Sequence, residues 1–200
     1  MKYISYYESV LGTITMASDG KCITGLWFDG QKYDRVGVSE DAVVVDQGKE
    51  EGSVQSESAL EKDETISVFE EAKNWLDRYF AEENPEATAS RPPLALQGTD
   101  FQKEVWEILL EIPYGKTTTY GEIAKELARR RGAKTMSAQA VGGAVGHNKI
   151  SILVPCHRVV GADGKLTGYA GGIEKKKWML EMESRRFPED ASEIEKELKT

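Results

Sequence analysis

The chain reads as an α+β protein in two parts, a small antiparallel sheet backed by one helix and then a mainly helical half containing a helix-turn-helix. Three observations predict this. Short β-branched and aromatic runs separated by glycine turns fill residues 2–28, and from residue 65 the apolar spacing becomes three and four. An acidic stretch with three prolines, 82–93, then parts two regions of unlike charge.

In the first part, residues 2–7, 13–18 and 22–28 read as three strands of a meander, with Gly12 and the Asp19-Gly20-Lys21 turn between them. The stretch from Asp29 to Asp63 is rich in glycine, serine and acids and reads as loop, except for a strand-like island at Val43-Val44-Val45. Ile66, Phe69, Ala72, Trp75/Leu76 and Tyr79/Phe80 then recur at helical spacing, so a helix is expected from Thr65 to about Ala81, its apolar face against the sheet. Trp75 and Phe69 belong to that packed face. The prolines and small residues of 82–93 suit a linker, which places a domain of residues 1–91 before one of 92–184, with an acidic tail at 185–200.

The second part opens with a helix capped by Thr99 or Asp100, with Phe101, Val105, Ile108 and Leu109 on one face and Ile112-Pro113-Tyr114-Gly115 as its end. Thr119 can cap another helix from Tyr120 to about Arg130, with Ile123, Ala124 and Leu127 inward. After a Gly132-Ala133-Lys134 turn, Ser137 can cap a further one through Val145. Helix, short glycine turn, helix is the pattern that places a helix against DNA, although antiparallel helix pairs share it. Ala138, Ala140, Gly142, Gly143 and Ala144 leave the second helix almost without side chains. It therefore lacks long donors to read bases, but its backbone can come close to a groove. Gly161 to Gly172 is a glycine-rich loop around Tyr169 and Ala170, able either to wrap a flat ligand or to turn in solvent. Glu174 to Glu183 is helical by pattern, and 187–200 reads as a loose acidic helix.

Charge sharpens the division. The net charge is -8, but residues 1–91 hold 9 basic and 19 acidic side chains, residues 92–178 hold 13 and 8, and residues 179–200 hold 4 and 7. Only the middle segment, at +5, suits a polyanion. Arg129, Arg130, Arg131 and Lys134 lie where they could attract phosphate, or simply where a helix end meets solvent. Cys22 and Cys156 share no spacing, which suggests neither a disulfide framework nor a metal cluster. The first residues lack the apolar core of a signal peptide, and no apolar run approaches the roughly 20 residues of a membrane span, so a cytoplasmic protein without membrane contact is expected, and a monomer is expected besides.

The chemistry concentrates in residues 150–161. The apolar, β-branched run Ile150-Ser151-Ile152-Leu153-Val154 reads as a strand that Pro155 stops, delivering Cys156 and then His157. A thiol is a few per cent thiolate at neutral pH, so a nucleophilic cysteine needs a neighbour to stabilise the anion or accept the proton. Adjacent residues of a strand point to opposite faces, so His157 would act on Cys156 through a water or a bend. A cysteine that merely packs in the core is the plainer alternative.

At these residues the sequence resembles the O6-alkylguanine-DNA alkyltransferases, also called methylated-DNA-protein-cysteine methyltransferases. Pro155-Cys156-His157-Arg158-Val159 matches that family's active-site signature. The resemblance runs from about Thr99 to Glu183 through Tyr120-Gly121-Glu122-Ile123-Ala124, Ala140-Val141-Gly142-Gly143-Ala144 and Gly168-Tyr169-Ala170-Gly171-Gly172. It implies a ribonuclease H-like first domain, a winged-helix second domain and no metal or other cofactor. The activity implied is irreversible transfer of an alkyl group from O6-alkylguanine, or O4-alkylthymine, in double-stranded DNA to Cys156, once per molecule, with the nucleotide flipped out.

Roles follow residue by residue from the same resemblance. His157 would take the thiol proton, Glu183 orient the histidine, Asn148 hold the turn beside the site, and Tyr120 hydrogen-bond the extruded guanine. Tyr169, the Ala170 amide, Val159 and Gly171 would line the base pocket. Ser137, Ala138, Gln139, Ala140, Gly142, Gly143 and Arg158 would face DNA. At Gln139 the chain departs from the family's intercalating arginine, bringing a side chain without charge and with weaker stacking. Two other readings share some of these features: a damage-binding protein without chemistry, from an alkyltransferase-like group that lacks the cysteine, and a winged-helix regulator, which has no use for Cys156.

Overall fold

The structure, a computed structural model, describes residues 2–45 and 59–185. The expected acidic helix at 187–200 lies outside the described residues. The chain divides into two compact units, residues 1–96 and 97–200.

In the first unit, β1 (Tyr3–Ser9), β2 (Gly12–Ser18) and β3 (Ile23–Phe28) pair antiparallel, and β4 (Val43–Val44) runs parallel to β1 at its outer side, giving the order β3-β2-β1-β4. Register runs from Tyr3 opposite Ser18 to Ser9 opposite Gly12. Gly12 closes the hairpin at φ +104°, a left-handed conformation that side chains other than glycine rarely adopt. All six residues of β3 are buried. Within it, Gly25 leaves room for the Trp27 ring two residues on, which occupies the space a Cβ would take.

The helix α1 (Ala59–Phe80) covers this sheet with Val68, Phe69, Ala72, Trp75, Leu76 and Tyr79. It begins at Ala59 rather than Thr65. Residues 59–64 lack the apolar stripe by which a helix is read from sequence. The stretch expected as a linker is more structured than its composition suggests. Asn84 caps a single turn, α2 (Pro85–Thr88), and the Ile23 N–H donates to the Pro93 carbonyl at 2.8 Å while the Ala95 N–H donates to Ile23 at 2.9 Å. Residues 93–95 thus continue the hydrogen bonding of β3 on the side that β2 leaves open.

The second unit is built from well-capped helices. Thr99 and Gln102 form a reciprocal capping box on α3 (Asp100–Leu110), and Thr119 and Glu122 form another on α4 (Tyr120–Arg131). Gly132, at φ +62°, closes α4, and Ser137 caps α5 (Ala138–Gly146) through the Ala140 N–H. Val105, Trp106, Ile108 and Leu109 of α3 are buried, and the Trp106 indole N–H donates to the Ala144 carbonyl at 2.8 Å, joining α3 to α5. Phe101 is only half-buried and holds the Arg131 guanidinium over its ring. A short parallel pair, β5 (Thr118–Thr119) with β6 (Val159–Val160), and α6 (Ile173–Ser184) complete the unit.

The run from Ile150 to Val154 is not a strand, contrary to its composition. It is a folded turn. The Leu153 N–H donates to the Ser151 carbonyl at 2.8 Å across Ile152, which sits at φ +66°, a strained conformation for a β-branched residue. The Cys156 N–H then donates to the Val154 carbonyl at 2.8 Å across Pro155, at φ -79° and ψ 61°, the geometry of an inverse γ-turn. A single turn of 3-10 helix, Cys156–Arg158, follows. Proline therefore acts as the centre of a turn rather than as the end of a ladder.

Candidate active site

Asn148, the second residue past α5, organises the turn. Its Oδ1 accepts from the Ile150 N–H at 3.0 Å, while its Nδ2 reaches the Val154 carbonyl at 2.9 Å, the Ile150 carbonyl at 3.3 Å and Cys156 Sγ at 3.0 Å. Two amide hydrogens shared among three acceptors hold both ends of the bent segment and leave one donor directed at sulfur. This is how the strained Ile152 conformation persists: the surrounding bonds over-determine it.

Cys156 is 6% exposed. Burial pushes its thiol up, opposed by the Asn148 hydrogen bond, the nearby Lys176 charge and the backbone amides of Cys156 and His157. The thiol is thus kept from water but surrounded by groups that favour its anion.

His157 and Glu183 are both fully enclosed, with Nε2 2.8 Å from Oε1. Burial pushes the imidazole below its usual range despite Glu183, which favours the neutral ring with Nε2–H donating to the carboxylate. Burial works against ionisation of Glu183 as well. His157 and Arg158 outweigh it and hold the carboxyl well below the usual carboxylate range. Arg158 supplies most of the fixed partnership: its Nε donates to Oε2 at 2.9 Å, Nη2 to Oε1 at 3.2 Å and Nη1 to the Ile112 carbonyl at 2.7 Å. Tyr114 lies under the guanidinium, and the Gly115 N–H adds a 3.0 Å bond to Oε2.

Arg158, expected from the resemblance to face DNA, is therefore not a DNA-facing residue. It is completely buried and serves to hold Glu183 ionised. Val159, expected in the base pocket, has its side chain buried in β6, its N–H donating to the Cys156 carbonyl and its own carbonyl accepting from Lys176 Nζ at 2.6 Å. Lys176 was not singled out from the sequence, where it is one of three consecutive lysines. Only the middle one turns inward, 1% exposed and lowered by burial to a pKa of about 8. Its inward place matches the α6 pattern, since Met179, Leu180 and Glu183 lie three, four and seven residues further on the same buried side.

Tyr169 is half-buried, with its hydroxyl inside beside Ser151; burial and the neighbouring Cys156 push it well above the usual phenol range. Ala170 and Gly171 form the middle of a turn closed by the Gly172 N–H on the Tyr169 carbonyl at 3.0 Å. Tyr120 opens α4, its ring beside Gly142 of α5 and its hydroxyl 3.0 Å from Thr167 Oγ1. On α5, Ser137, Ala138, Gln139, Ala140 and Gly143 are exposed and Gly142 is half-buried, so the small-residue face is open while Val141, Ala144 and Val145 pack inward. The arginines at the end of α4 are all paired: Arg129 and Arg130 with Glu126, Arg130 also with Glu111, and Arg131 with Glu104.

A buried thiol held by an asparagine, next to a histidine-carboxylate pair and directly behind an open, nearly side-chain-free helix of a helix-turn-helix, defines a class: proteins with a cysteine nucleophile on a DNA-binding scaffold. Comparison with known proteins gives the family. Residues 100–185 match the family described as 6-O-methylguanine DNA methyltransferase, DNA binding domain, and residues 2–92 match its ribonuclease-like domain. A methylated-DNA-protein-cysteine methyltransferase of Mycobacterium tuberculosis is 42% identical over 183 residues, covering 92% of this chain and 93% of that protein. One from Haemophilus influenzae is 34% identical over 192 residues, covering 96% and 91%. The crystal structure of Mycobacterium tuberculosis OGT in complex with DNA superposes with a TM-score of 0.70 at 39% identity, covering 92% of this chain and 94% of that one. The chain belongs to the 6-O-methylguanine DNA methyltransferase family.

Proposed function

We propose that this protein repairs DNA by moving the alkyl group of an O6-alkylguanine onto Cys156, once per molecule. The observation that carries the reading is the 3.0 Å contact of Asn148 Nδ2 with Sγ, made by the second residue past the open helix α5. The element that meets DNA and the residue that holds the nucleophile are thereby one continuous piece of chain.

The target atom is shielded within the stacked duplex, so the nucleotide is flipped out at a cost of a few kcal/mol. The small-residue face of α5 approaches the groove, and Gln139, exposed at its start, fills the gap. Tyr169 and the turn at Ala170-Gly171 receive the base. His157 accepts the thiol proton through a water, with Glu183 fixing the ring. The sulfur lone pair then forms the S–C bond as the C–O6 bond breaks in line, and its electrons pass into the guanine ring, where the Tyr120 hydroxyl donates to the developing charge. The proton that left sulfur ends on the base, giving guanine and a neutral thioether with no further reactant. Nothing in that sequence removes the alkyl group, which is why one molecule acts once.

Mass spectrometry of the protein after incubation with a duplex containing O6-methylguanine tests this. One added methyl on the Cys156 peptide, absent from Cys156→Ser and unaffected by Cys22→Ser, is the expected result. Tight binding to the lesion with no mass gain would leave only recognition of damage.

A further inference from the structure

Thr167 lies at a joint between three elements of the second unit. Its hydroxyl is 3.0 Å from the hydroxyl of Tyr120, the first residue of α4. Its carbonyl accepts from Lys176 Nζ of α6 at 3.0 Å, and the same ammonium holds the Val159 carbonyl at 2.6 Å, three residues beyond the nucleophile. The methyl group of Thr167 packs toward Gly161, where an added Cβ would meet it at 3.4 Å. The side chain is therefore confined on its backbone side and its methyl side, with the hydroxyl aimed at Tyr120.

A hydroxyl offers one hydrogen, so the direction of this bond decides what Tyr120 can do. If Thr167 donates, the phenol keeps its own hydrogen for another acceptor and becomes a stronger donor through polarisation along the pair. We infer that Thr167 is a positioning residue for the transfer reaction, donating to the Tyr120 oxygen so that the phenolic hydrogen points at the base. This rests on the function proposed above and adds to it a residue that touches neither the sulfur nor the alkyl group. Lys176 belongs to the same arrangement, because its bond to the Thr167 carbonyl keeps the loop at a fixed distance from the segment that carries Cys156.

The test separates hydroxyl from bulk. Single-turnover transfer is measured at saturating O6-methylguanine duplex, and with free O6-methylguanine, for the unaltered protein, Thr167→Val, Thr167→Ser, Tyr120→Phe and the double variant Tyr120→Phe/Thr167→Val. Valine keeps the shape and removes the donor, so the saturated rate should fall roughly threefold to tenfold on both substrates, the range of one net hydrogen bond. Serine should restore it to within about twofold. In the Tyr120→Phe background, valine should cost nothing more, and affinity for undamaged duplex should be the same in all five proteins. An unchanged rate for Thr167→Val would overturn the inference, as would serine being as slow as valine or the two changes adding independently. A parallel cycle on unfolding free energy without DNA reads the Tyr120–Thr167 coupling directly. If the unaltered protein transferred nothing, the proposed function would fail, and a coupling in that cycle would reduce Thr167 to a structural tie.

Discussion

Glu183 shows what a buried charge requires. Four groups converge on its two oxygens, from Arg158, His157 and the Gly115 amide, and both side-chain partners are completely buried. Removing the negative charge alone leaves the Arg158 guanidinium uncompensated in the interior, so Glu183→Gln should destabilise the protein by about 3–5 kcal/mol, read from urea unfolding, as well as slow transfer. Arg158→Met should be destabilising too, because it leaves the Glu183 carboxylate buried without its guanidinium and the Ile112 carbonyl without its donor. Lys176 makes a different prediction. Its folded value of about 8 lies below the 10.5 of a free lysine, so between these pH values the unfolded chain holds a proton that the folded one has released. Stability should therefore rise with pH across about 8 to 10.5 and be flat below it as far as this group is concerned. The difference in unfolding free energy between the unaltered protein and Lys176→Met, measured from pH 7 to pH 10, isolates it; a difference that stayed constant would contradict the burial seen here.

Among the elements, α5 sacrifices intrinsic stability for approach. Neither Gly142 nor Gly143 is at positive φ, and an added Cβ at Gly143 would meet nothing within 4 Å. Gly143→Ala should accordingly stabilise the fold by about 0.5–1 kcal/mol, seen as a higher melting temperature, while weakening DNA binding because the methyl stands on the exposed face. Both effects in one variant would separate folding from function; a stability gain with unchanged DNA affinity would mean that this face does not meet DNA. Gln139 is exposed at the start of the helix, where the proposed function has it fill the opened stack. Gln139→Arg should raise the rate on duplex and Gln139→Ala should lower it, and neither should alter the rate on free O6-methylguanine, where no stack is opened. The ratio of duplex to free-base rates across the three proteins is the measurement, and equal ratios would remove residue 139 from flipping.

At the scale of the whole molecule, charge is apportioned between units rather than spread evenly. Residues 92–178 are the basic segment, but the three arginines that close α4 are each engaged by Glu104, Glu111 or Glu126. Phosphate attraction then falls to exposed lysines such as Lys125 and Lys134, so log affinity for undamaged duplex should fall with log salt, on the order of -0.9 per phosphate neutralised, with little dependence on base sequence. Titrations at several salt concentrations on two unrelated duplexes check both. What the sequence by itself determined about this protein was local: the meander, the helices with their caps at Thr99, Thr119 and Ser137, the end at Gly132, and Cys156 beside His157 as the candidate site. Each is written in neighbours within about four residues, through capping bonds and period. Only the tertiary structure decided that Ile150-Val154 is a folded turn instead of a strand, that Arg158 turns inward to Glu183, 25 residues away, and that Lys176 rather than either flanking lysine is buried. It also brought Tyr120 to Thr167 across 47 residues. Composition cannot show these, because a β-branched run or a basic side chain takes its conformation from whichever distant donors and acceptors the chain path sets beside it, here the Asn148 amide and the Glu183 carboxylate.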